Sequence, residues 1–405
     1  MESLYIEKRK KITVATTISA SGLIKAGGSN VVYGLYTQLA KDFDIEVIYI
    51  APAHEKSRTY SIAPGLKEVV IPKTKSHIEK EQKLRMELNA DTAYDIGLIY
   101  FLDETPEYGR KLRQSILTSD LVIIERPYLY REVKKHLSGR VLFQRSQNIE
   151  YFFRQSNTPE SDASAKVLQD LFDLEKECCE GCMINYACSE EDLEIMNAMY
   201  AISEKKLCLL PNGVSCEENP YISIDEKIQL KKLYNLENEK IAIFIGGGHR
   251  PNIEASEMIL KVAEYCQNTK FFFAGNVCQP LLSRKRSNNI GFLGLISEKT
   301  RHFLFSVADI ALNPMYSGSG SNIKMFDYMA MGVPVVTTLF GARGINDKSS
   351  FHIADTAEAI ADVIENFDIK HEYRNVKQAR KLVESTYDWS VIANDVSKLI
   401  CKYIQ

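Results

Sequence analysis

The chain contains no uninterrupted apolar stretch of the ~18 residues that a membrane-spanning helix requires. Its opening residues, MESLYIEKRKK, lead directly into a strand-like segment and not into the apolar core of a signal peptide. These two absences predict a cytoplasmic protein.

The chain also has little excess charge, because 50 basic and 53 acidic residues give a formal net charge of -3. Such a balance creates no field that would attract nucleic acid, so we expect no nucleic-acid partner and expect any anion to be bound by local groups. The basic segments KRKK and KTKSHIEKEQKLRMELN leave peripheral contact with the inner face of a membrane open, although a charge run is usually a solvated face.

The nine cysteines are an odd number without a secretory signal, which argues against a disulfide framework. Cys178, Cys179 and Cys182 have a spacing that could hold a soft metal. No second pair of cysteines or histidines at zinc-finger spacing accompanies them. Structural thiols are therefore the better interpretation, and no metal site is predicted.

The 405 residues suit two α/β domains of roughly 200 residues each. Short β-branched or aromatic runs alternate with helix-length segments, which is typical of parallel strands buried on both faces of a doubly wound sheet. The predicted strands are KITVATT, IEVIYIAP, KEVVIP, DIGLIYF, DLVIIE, RVLFQR, MINYACS and KLCLLP in the first half, and KIAIFI, TKFFFAGN, NNIGFLG, ADIALNP, VPVVTT and SFHIA in the second. A polar stretch places the domain boundary near Val214.

Two of the predicted strand-to-helix junctions are rich in glycine. Gly27 and Gly28 follow the first strand, where a flexible turn and a ligand loop explain them equally well. Three glycines ending at Gly248 follow KIAIFI, and because glycine weakens a strand, close approach of a ligand is the better explanation. His249 and Arg250 come next, and the guanidinium of Arg250 either pairs with a diphosphate or stays solvated.

A third junction carries the strongest signal. The strand IALNP precedes a run of small residues, Ser317 to Asn322, whose amides and hydroxyls can bind an anion beside the N-terminus of the next helix. Lys324 in the first helical turn is unfavourable unless an anion is near. Asp327 lies on the same helix face and can accept both ribose hydroxyls. A capped helix with a surface ion pair is the alternative.

At this junction the sequence resembles the retaining GT-B glycosyltransferases, in particular glycosyltransferase family 4, the glycosyl transferases of group 1. The segments LLPNGV, FIGGGHRPNIEA, NIGFLG, ADIALNP and GVPVV cover most of residues 205–340, and AGGSN and RSQNIEYFF match more weakly. The resemblance implies two Rossmann-like, doubly wound parallel-sheet domains that face each other across a cleft. Residues 1–213 would bind the acceptor, residues 214–385 the nucleotide sugar, and the helix 386–405 would pack back on the first domain.

The resemblance also implies roles for single residues. Lys324 and Arg250 would neutralise the diphosphate, Asp327 would bind the ribose, and Glu150 and Asn148 would complete the catalytic centre. Gly291 would line the base pocket with Phe292 and Leu293. The expected donor-binding residues are Gly28, Gly247, Gly248, His249, Phe292, Leu293, Gly318, Ser319, Gly320, Ser321, Asn322 and Asp327.

The chain departs from the family pattern at three positions. Many relatives have two glutamates separated by seven residues, and here Ser319 and Asp327 stand in their places. Gln147 stands where relatives often have a histidine. These departures remove a carboxylate contact to the transferred sugar but leave ribose binding.

The expected reaction is transfer of a sugar from a nucleotide-diphosphate sugar to an acceptor hydroxyl, with retention of configuration, in cell-surface polysaccharide or glycoconjugate synthesis. The acceptor would be a glycan, a lipid-linked molecule or a small molecule. No Asp-X-Asp motif is flanked as in metal-dependent transferases, so neither a metal nor another cofactor is expected. As the resemblance implies, the leaving phosphate would help to deprotonate the acceptor. Glu150 and His249 are the candidate protein bases. The alternatives are a nucleotide-sugar 2-epimerase and a non-catalytic accessory subunit of another transferase.

Overall fold

The computed structural model describes residues 9–21, 27–90, 93–318 and 320–404. The chain divides into two compact units, Met1–Pro211 together with Ile392–Gln405, and Asn212–Val391. Each unit has its own sheet and its own apolar core. None of the helices within the described ranges is long and apolar enough to cross a membrane.

The sheet of the first unit contains β1 (Lys11–Thr16), β2 (Asp44–Ala51), β3 (Arg58–Ala63), β4 (Leu66–Pro72), β5 (Leu121–Glu125), β6 (Val141–Arg145), β7 (Ile184–Ala187) and β8 (Leu207–Leu209). Its strand order is β3-β4-β2-β1-β5-β6-β7-β8, and every neighbouring pair is parallel except β3 and β4. β5 and β7 are buried along their whole length, as the nearly continuous apolar runs predict.

The helices of this unit are α1 (Gly27–Leu39), α2 (Lys75–Leu88), α3 (Ala93–Ile96), α4 (Leu98–Phe101), α5 (Pro106–Ile116), α6 (Tyr130–His136), α7 (Glu150–Gln155), α8 (Asp162–Gly181) and α9 (Glu190–Tyr200). Hydroxyl side chains of Thr74, Ser161 and Ser189 cap α2, α8 and α9, each accepting a hydrogen bond from a first-turn amide. Apolar residues of α2, α5 and α8 share one core with β1, β2, β4, β5 and β6.

Two features of this unit differ from the sequence-based assignment. The segment DIGLIYF, predicted to be a strand, forms α3 and α4, and its buried residues Ile96 and Leu98 join the core from a helical backbone. β3 was not predicted because most of its residues are exposed or half-buried and show no apolar run. It pairs with β4 through a tight turn at Gly65, whose φ of 77° favours glycine.

The second unit has the strands β9 (Lys240–Ile245), β10 (Thr269–Ala274), β11 (Ile290–Phe292), β12 (Ile310–Asn313), β13 (Val335–Thr337) and β14 (His352–Ile353). They form a parallel sheet in the order β11-β10-β9-β12-β13-β14. The chain runs outward from β9 on one side and returns to β12 on the other. The carboxyl ends of β9 and β12 therefore form a topological switch point, where open parallel sheets bind ligands.

Helices α10 (Ile224–Leu233), α11 (Arg250–Tyr265), α12 (Cys278–Leu281), α13 (Glu298–Val307), α14 (Ile323–Ala330), α15 (Ala357–Glu365) and α16 (Tyr373–Leu382) complete this unit. The last helix, α17 (Trp389–Tyr403), starts in the second unit, and its residues from Ile392 onward belong to the first. There the ring of Tyr403 meets that of Phe143 in β6 edge to face, with 5.3 Å between centroids.

Candidate active site

Two loops meet at the switch point of the second sheet. One connects β9 to α11, and the other connects β12 to α14. Nζ of Lys324, in the first turn of α14, donates a 2.7 Å hydrogen bond to Oδ1 of Asn252 in the first turn of α11. Ser317 Oγ donates to Glu254 Oε2 at 2.8 Å. These contacts hold two helix N-termini side by side, and each end carries partial positive charge.

Within the described part of the chain, the groups in contact with the Lys324 ammonium carry no negative charge. Besides Asn252, its Nζ lies 3.8 Å from the sulfur of Met315 and 4.3 Å from the ring centroid of Phe244. No carboxylate within the described part of the chain pairs with it, and burial lowers the pKa of Lys324 to about 7. Removing a cation from water without a counter-charge is costly, which is the state expected of a group that binds an anionic ligand.

The loop after β12 needs glycine at two positions. Gly318 and Gly320 have φ values of 124° and 64°, in the left-handed region that other residues rarely adopt. Ser319, which the sequence places between them, lies outside the described residues. The amides of Ser321 and Asn322 donate to no acceptor within the described ranges. Two unbonded amides at the start of a helix form a ready anion-binding site.

The three glycines after β9 serve different purposes. A Cβ on Gly246 would lie 3.0 Å from the ring of Phe244, which makes the fit tight, and a Cβ on Gly275 would lie 2.3 Å from the carbonyl oxygen of Gly246, so packing requires glycine at position 275. Gly247 and Gly248 have no neighbour closer than 3.5 Å to such a Cβ. Their predicted role in donor binding stays a prediction, and a Cβ at either position would make only ordinary van der Waals contacts.

Asp327 lies one turn beyond Lys324 but contacts a different partner. Its Oδ2 is 3.6 Å from the guanidinium of Arg301 in α13. Burial raises the pKa of Asp327 to about 6, and the charge of Arg301 opposes that rise. The surface ion pair between Lys324 and Asp327, considered as an alternative from sequence, does not form. Ribose binding by Asp327 remains a prediction.

Arg250 and His249 stand at the entrance of α11. The side chain of Arg250 is 74% exposed and pairs with Glu254 at 2.8 Å, one turn along the same helix. His249 occupies the residue before the helix, with extended backbone angles. The contact of Arg250 with a diphosphate therefore remains a prediction, since in this structure its partner is a carboxylate of its own helix.

The expected base pocket lies at the end of β11. A Cβ on Gly291 would lie 2.8 Å from the ring of Phe272, so close packing requires glycine there. The amide of Leu293 donates to the carbonyl of Phe273 at 2.8 Å and is thus already used. The ring of Phe292 is covered by the guanidinium of Arg286 at 4.7 Å. The contact of this strand with a base stays a prediction.

In the first unit, the structure brings Gly28 and Gln147 together. A Cβ on Gly28 would lie 3.1 Å from Oε1 of Gln147, whose Nε2 donates to Glu125 at 3.0 Å. Asn148 follows, and its carbonyl accepts a hydrogen bond from Ser146 Oγ at 2.5 Å. These residues lie at the carboxyl ends of β1, β5 and β6, where the order of the first sheet reverses.

Glu150 is part of a buried network of opposite charges. Its Oε2 accepts from the hydroxyl of Tyr128 at 2.6 Å and lies 3.3 Å from Nε of Arg154, while its Oε1 lies 3.5 Å from Nε of Arg126. Both arginines also contact Asp95, at 2.5 and 3.2 Å. The charged neighbours of Glu150 are these two arginines and its other partner is a tyrosine of the same unit, so this geometry favours a structural role for Glu150.

Sequence comparison identifies the second unit. Residues 239–367 match the family described as Glycosyl transferases group 1. They form a group 1 glycosyl transferase domain. This domain includes both loops of the switch point, together with Asn252, Lys324 and Asp327. A search of curated proteins finds no significant match to the chain.

Solved structures confirm the predicted GT-B fold. Sucrose-phosphate synthase from Thermosynechococcus elongatus matches with a TM-score of 0.72 and 13% identity, covering 97% of this chain and 99% of that chain. Anabaena HepE in complex with UDP-glucose gives 0.68 and 11%, covering 97% and 99%. A glycosyltransferase from Rickettsia africae gives 0.61 and 14%, covering 98% and 99%. The group 1 domain and this fold confirm the prediction of a glycosyltransferase.

Three residues of the group 1 domain site were not predicted. Asn252 binds the Lys324 ammonium, Arg301 pairs with Asp327, and Arg343 contacts the loop after β12. Asn252 could have been found, because it lies in the first turn of a helix that follows a glycine loop. Arg301 and Arg343 leave no local signal, since their partners are distant in sequence.

Proposed function

We propose that the protein transfers a sugar from a nucleotide-diphosphate sugar to an acceptor hydroxyl, with the donor diphosphate bound between the starts of α11 and α14. Retention of configuration, independence of metal ions and a role in polysaccharide or glycoconjugate synthesis belong to this proposal. The acceptor would be a glycan, a lipid-linked molecule or a small molecule.

The observation that carries the proposal is Lys324. It is a cation in a desolvated position with no carboxylate partner in the described ranges, and it stands where two helix N-termini converge. A diphosphate would supply the missing negative charge. As the sugar leaves, charge grows on the diphosphate, so a fixed ammonium and fixed amides stabilise the transition state more than the ground state.

Asp327 would bind the ribose in its ionised form. Its carboxylate is 28% exposed, and only Oδ2 approaches Arg301 within the described part of the chain. A carboxylate can accept hydrogen bonds from two neighbouring hydroxyls. The pairing with Arg301 would keep the side chain oriented while it does so.

The acceptor would bind to groups of the first unit near Gly28 and Gln147. Gln147 can donate and accept hydrogen bonds but cannot act as a base, and Glu150 is paired with arginines. We therefore assign deprotonation of the acceptor to the leaving phosphate. The complexes of HepE with UDP and UDP-glucose make UDP the first nucleotide to test.

Calorimetric titration with UDP, GDP and ADP tests the donor site, and sugar transfer to acceptor mixtures tests the reaction. Lys324→Met should cost about 2–4 kcal/mol of transition-state stabilisation, about 30-fold to 1,000-fold in kcat/KM, because one preorganised charge is removed. Lys232→Met is the matched control, since Lys232 is an exposed lysine on α10 of the same unit.

Three outcomes would contradict the proposal. If no nucleoside diphosphate binds to the folded protein, a non-catalytic accessory subunit is the better interpretation. If the sugar of the donor is inverted at C2 without an acceptor, the protein is an epimerase. If Lys324→Met and Lys232→Met behave alike, Lys324 is not a donor contact.

A further inference from the structure

Arg343 lies in the turn between β13 and β14 and binds the backbone of the loop after β12. Its Nη1 donates a 3.1 Å hydrogen bond to the carbonyl of Gly318, and its Nε donates to the carbonyl of Gly320. One planar guanidinium thus binds the carbonyls of both left-handed glycines. A rigid fork of donors is needed for such a double contact, and arginine is the side chain that has one.

This double contact determines where the loop amides face. In a trans peptide the N–H points away from the carbonyl of the same unit. Because the carbonyl of Gly320 is turned toward Arg343, the amide of Ser321 is turned to the opposite side. That amide has no acceptor within the described ranges. Arg343 therefore holds the backbone in the orientation that leaves the Ser321 amide available to an anion.

The turn that carries Arg343 is itself anchored to the sheet. The carbonyl of Gly341 accepts hydrogen bonds from Nδ2 of Asn313 and Nδ2 of Asn322, both at 2.9 Å. The guanidinium of Arg343 lies over the ring of Phe340, 4.3 Å from its centroid. The end of β12, the start of α14 and the turn after β13 are therefore tied together around one arginine.

We propose that Arg343 is a positioning residue that preforms the diphosphate-binding loop, and that it acts through its two carbonyl contacts and not through charge on the donor. This inference deepens the proposed function and rests on it. Without Arg343, two glycines with wide conformational freedom would have to be ordered each time a donor binds. The expected signature is a loss of donor affinity with nearly unchanged turnover at saturation.

The test compares Arg343→Lys and Arg343→Met with the wild-type chain. Lysine keeps the positive charge but cannot bind both carbonyls in one plane, and methionine keeps similar bulk without charge. Arg284→Met is the control, because Arg284 is an exposed arginine of the same unit paired with Glu257. Hydrogen exchange of the 317–322 segment without nucleotide measures loop order, and calorimetry with UDP measures affinity and entropy.

We expect the loop amides of both variants to exchange about tenfold faster. Both variants should also bind UDP about tenfold more weakly and with a larger entropic cost, because the loop would then become ordered only when UDP binds. The donor KM should rise in parallel while kcat changes by less than about threefold. Arg284→Met should match wild type in all five measured quantities.

Two results would overturn the inference. Wild-type affinity and exchange in Arg343→Lys would show that charge alone matters, and unchanged loop exchange in Arg343→Met would show that the loop needs no clamp. Hydrogen exchange requires no ligand. If no nucleotide binds the wild-type chain, the proposed donor site fails while the exchange data still report on the clamp.

Discussion

The carboxyl edges of the two sheets differ in how their charges are balanced. In the first unit, Arg126 and Arg154 are matched by Asp95 and Glu150 in one network. In the second unit, the ammonium of Lys324 has an amide, a sulfur and an aromatic ring as neighbours. In the first network each arginine contacts both carboxylates, whereas no carboxylate in the described part of the chain pairs with Lys324.

This contrast separates structural charges from functional ones. A buried charge without a partner lowers stability, so it persists where a ligand supplies the partner. Both units have α/β sheets, but the charges at their carboxyl edges are balanced in different ways. In our proposal the second edge binds the diphosphate, and the first edge offers the neutral hydrogen-bonding groups of Gln147 beside Gly28.

The largest expected effect is on the balanced network. Arg154→Met should lower the free energy of unfolding of the chain by about 3–5 kcal/mol, because it removes one of the two arginines that balance the buried Glu150 and the half-buried Asp95. Urea unfolding measures this change. Arg113→Met, an exposed arginine on α5, should change stability by less than about 0.5 kcal/mol. Equal effects of both changes would show that the network is not buried as described.

Replacing Lys324 should change the free energy of unfolding in the opposite direction. Without nucleotide, Lys324→Met should raise the free energy of unfolding by about 1–2 kcal/mol at pH 7 or below, after allowance for partial exposure. The folded-state pKa is about 7, below the unfolded value of about 10.4, so the cost of the charged lysine is complete below pH 7 and disappears toward pH 10. Unfolding curves at pH 6 and pH 10 check this. A loss of stability at pH 6 would contradict it.

Donor affinity should depend on pH in a bell shape. Asp327 must be ionised to accept ribose hydroxyls and has a pKa of about 6, while Lys324 must be protonated to bind the diphosphate and has a pKa of about 7. UDP affinity should therefore be greatest between these values and fall by up to about tenfold per pH unit outside them. Binding near pH 8 should take up a proton, which calorimetry in buffers of different ionisation enthalpy detects.

Single variants assign the two limbs of that profile. Asp327→Asn should remove the contribution of Asp327 to the fall in UDP affinity at acid pH. The contribution of the nucleotide phosphate, which ionises near pH 6, should remain. Lys324→Met should remove the alkaline limb. An unchanged alkaline limb in Lys324→Met would assign it to another group.

The smallest effect is expected at Arg250. Its ion pair with Glu254 is mostly exposed, so Arg250→Ala should change stability by about 0–1 kcal/mol. If it binds the diphosphate, its loss should weaken UDP binding, but less than the loss of Lys324, because solvent screens an exposed charge. Competition binding of UDP measures the difference. An effect equal to that of Lys324→Met would place Arg250 at the centre of the site.

Most strands were predictable because buried parallel strands leave continuous apolar runs. The segment DIGLIYF is instructive, since its apolar residues look like a strand but form two short helices in the core of the first unit. Short apolar runs do not distinguish the two states, because both bury the same side chains. β3 escaped prediction because an exposed edge strand has no apolar pattern.

The glycines show a second limit of prediction. Gly246 and Gly291 are favoured by close packing against neighbouring side chains, whereas Gly318 and Gly320 are favoured by their own φ values. The sequence alone does not distinguish these two reasons for a glycine. Only the positions of Asn252, Phe272 and the loop itself separate packing from backbone conformation.

The sequence alone determined the alternation of strands and helices, the two loops of small residues and the place of Lys324 in a helical first turn, because these depend on neighbours along the chain. The tertiary structure decided that Lys324 faces Asn252, that Asp327 faces Arg301 and that Arg343 holds the glycine carbonyls. These pairings join residues 23 to 72 positions apart. Local propensity carries no information about them, since they arise only when separate strand ends are brought to one edge of a sheet.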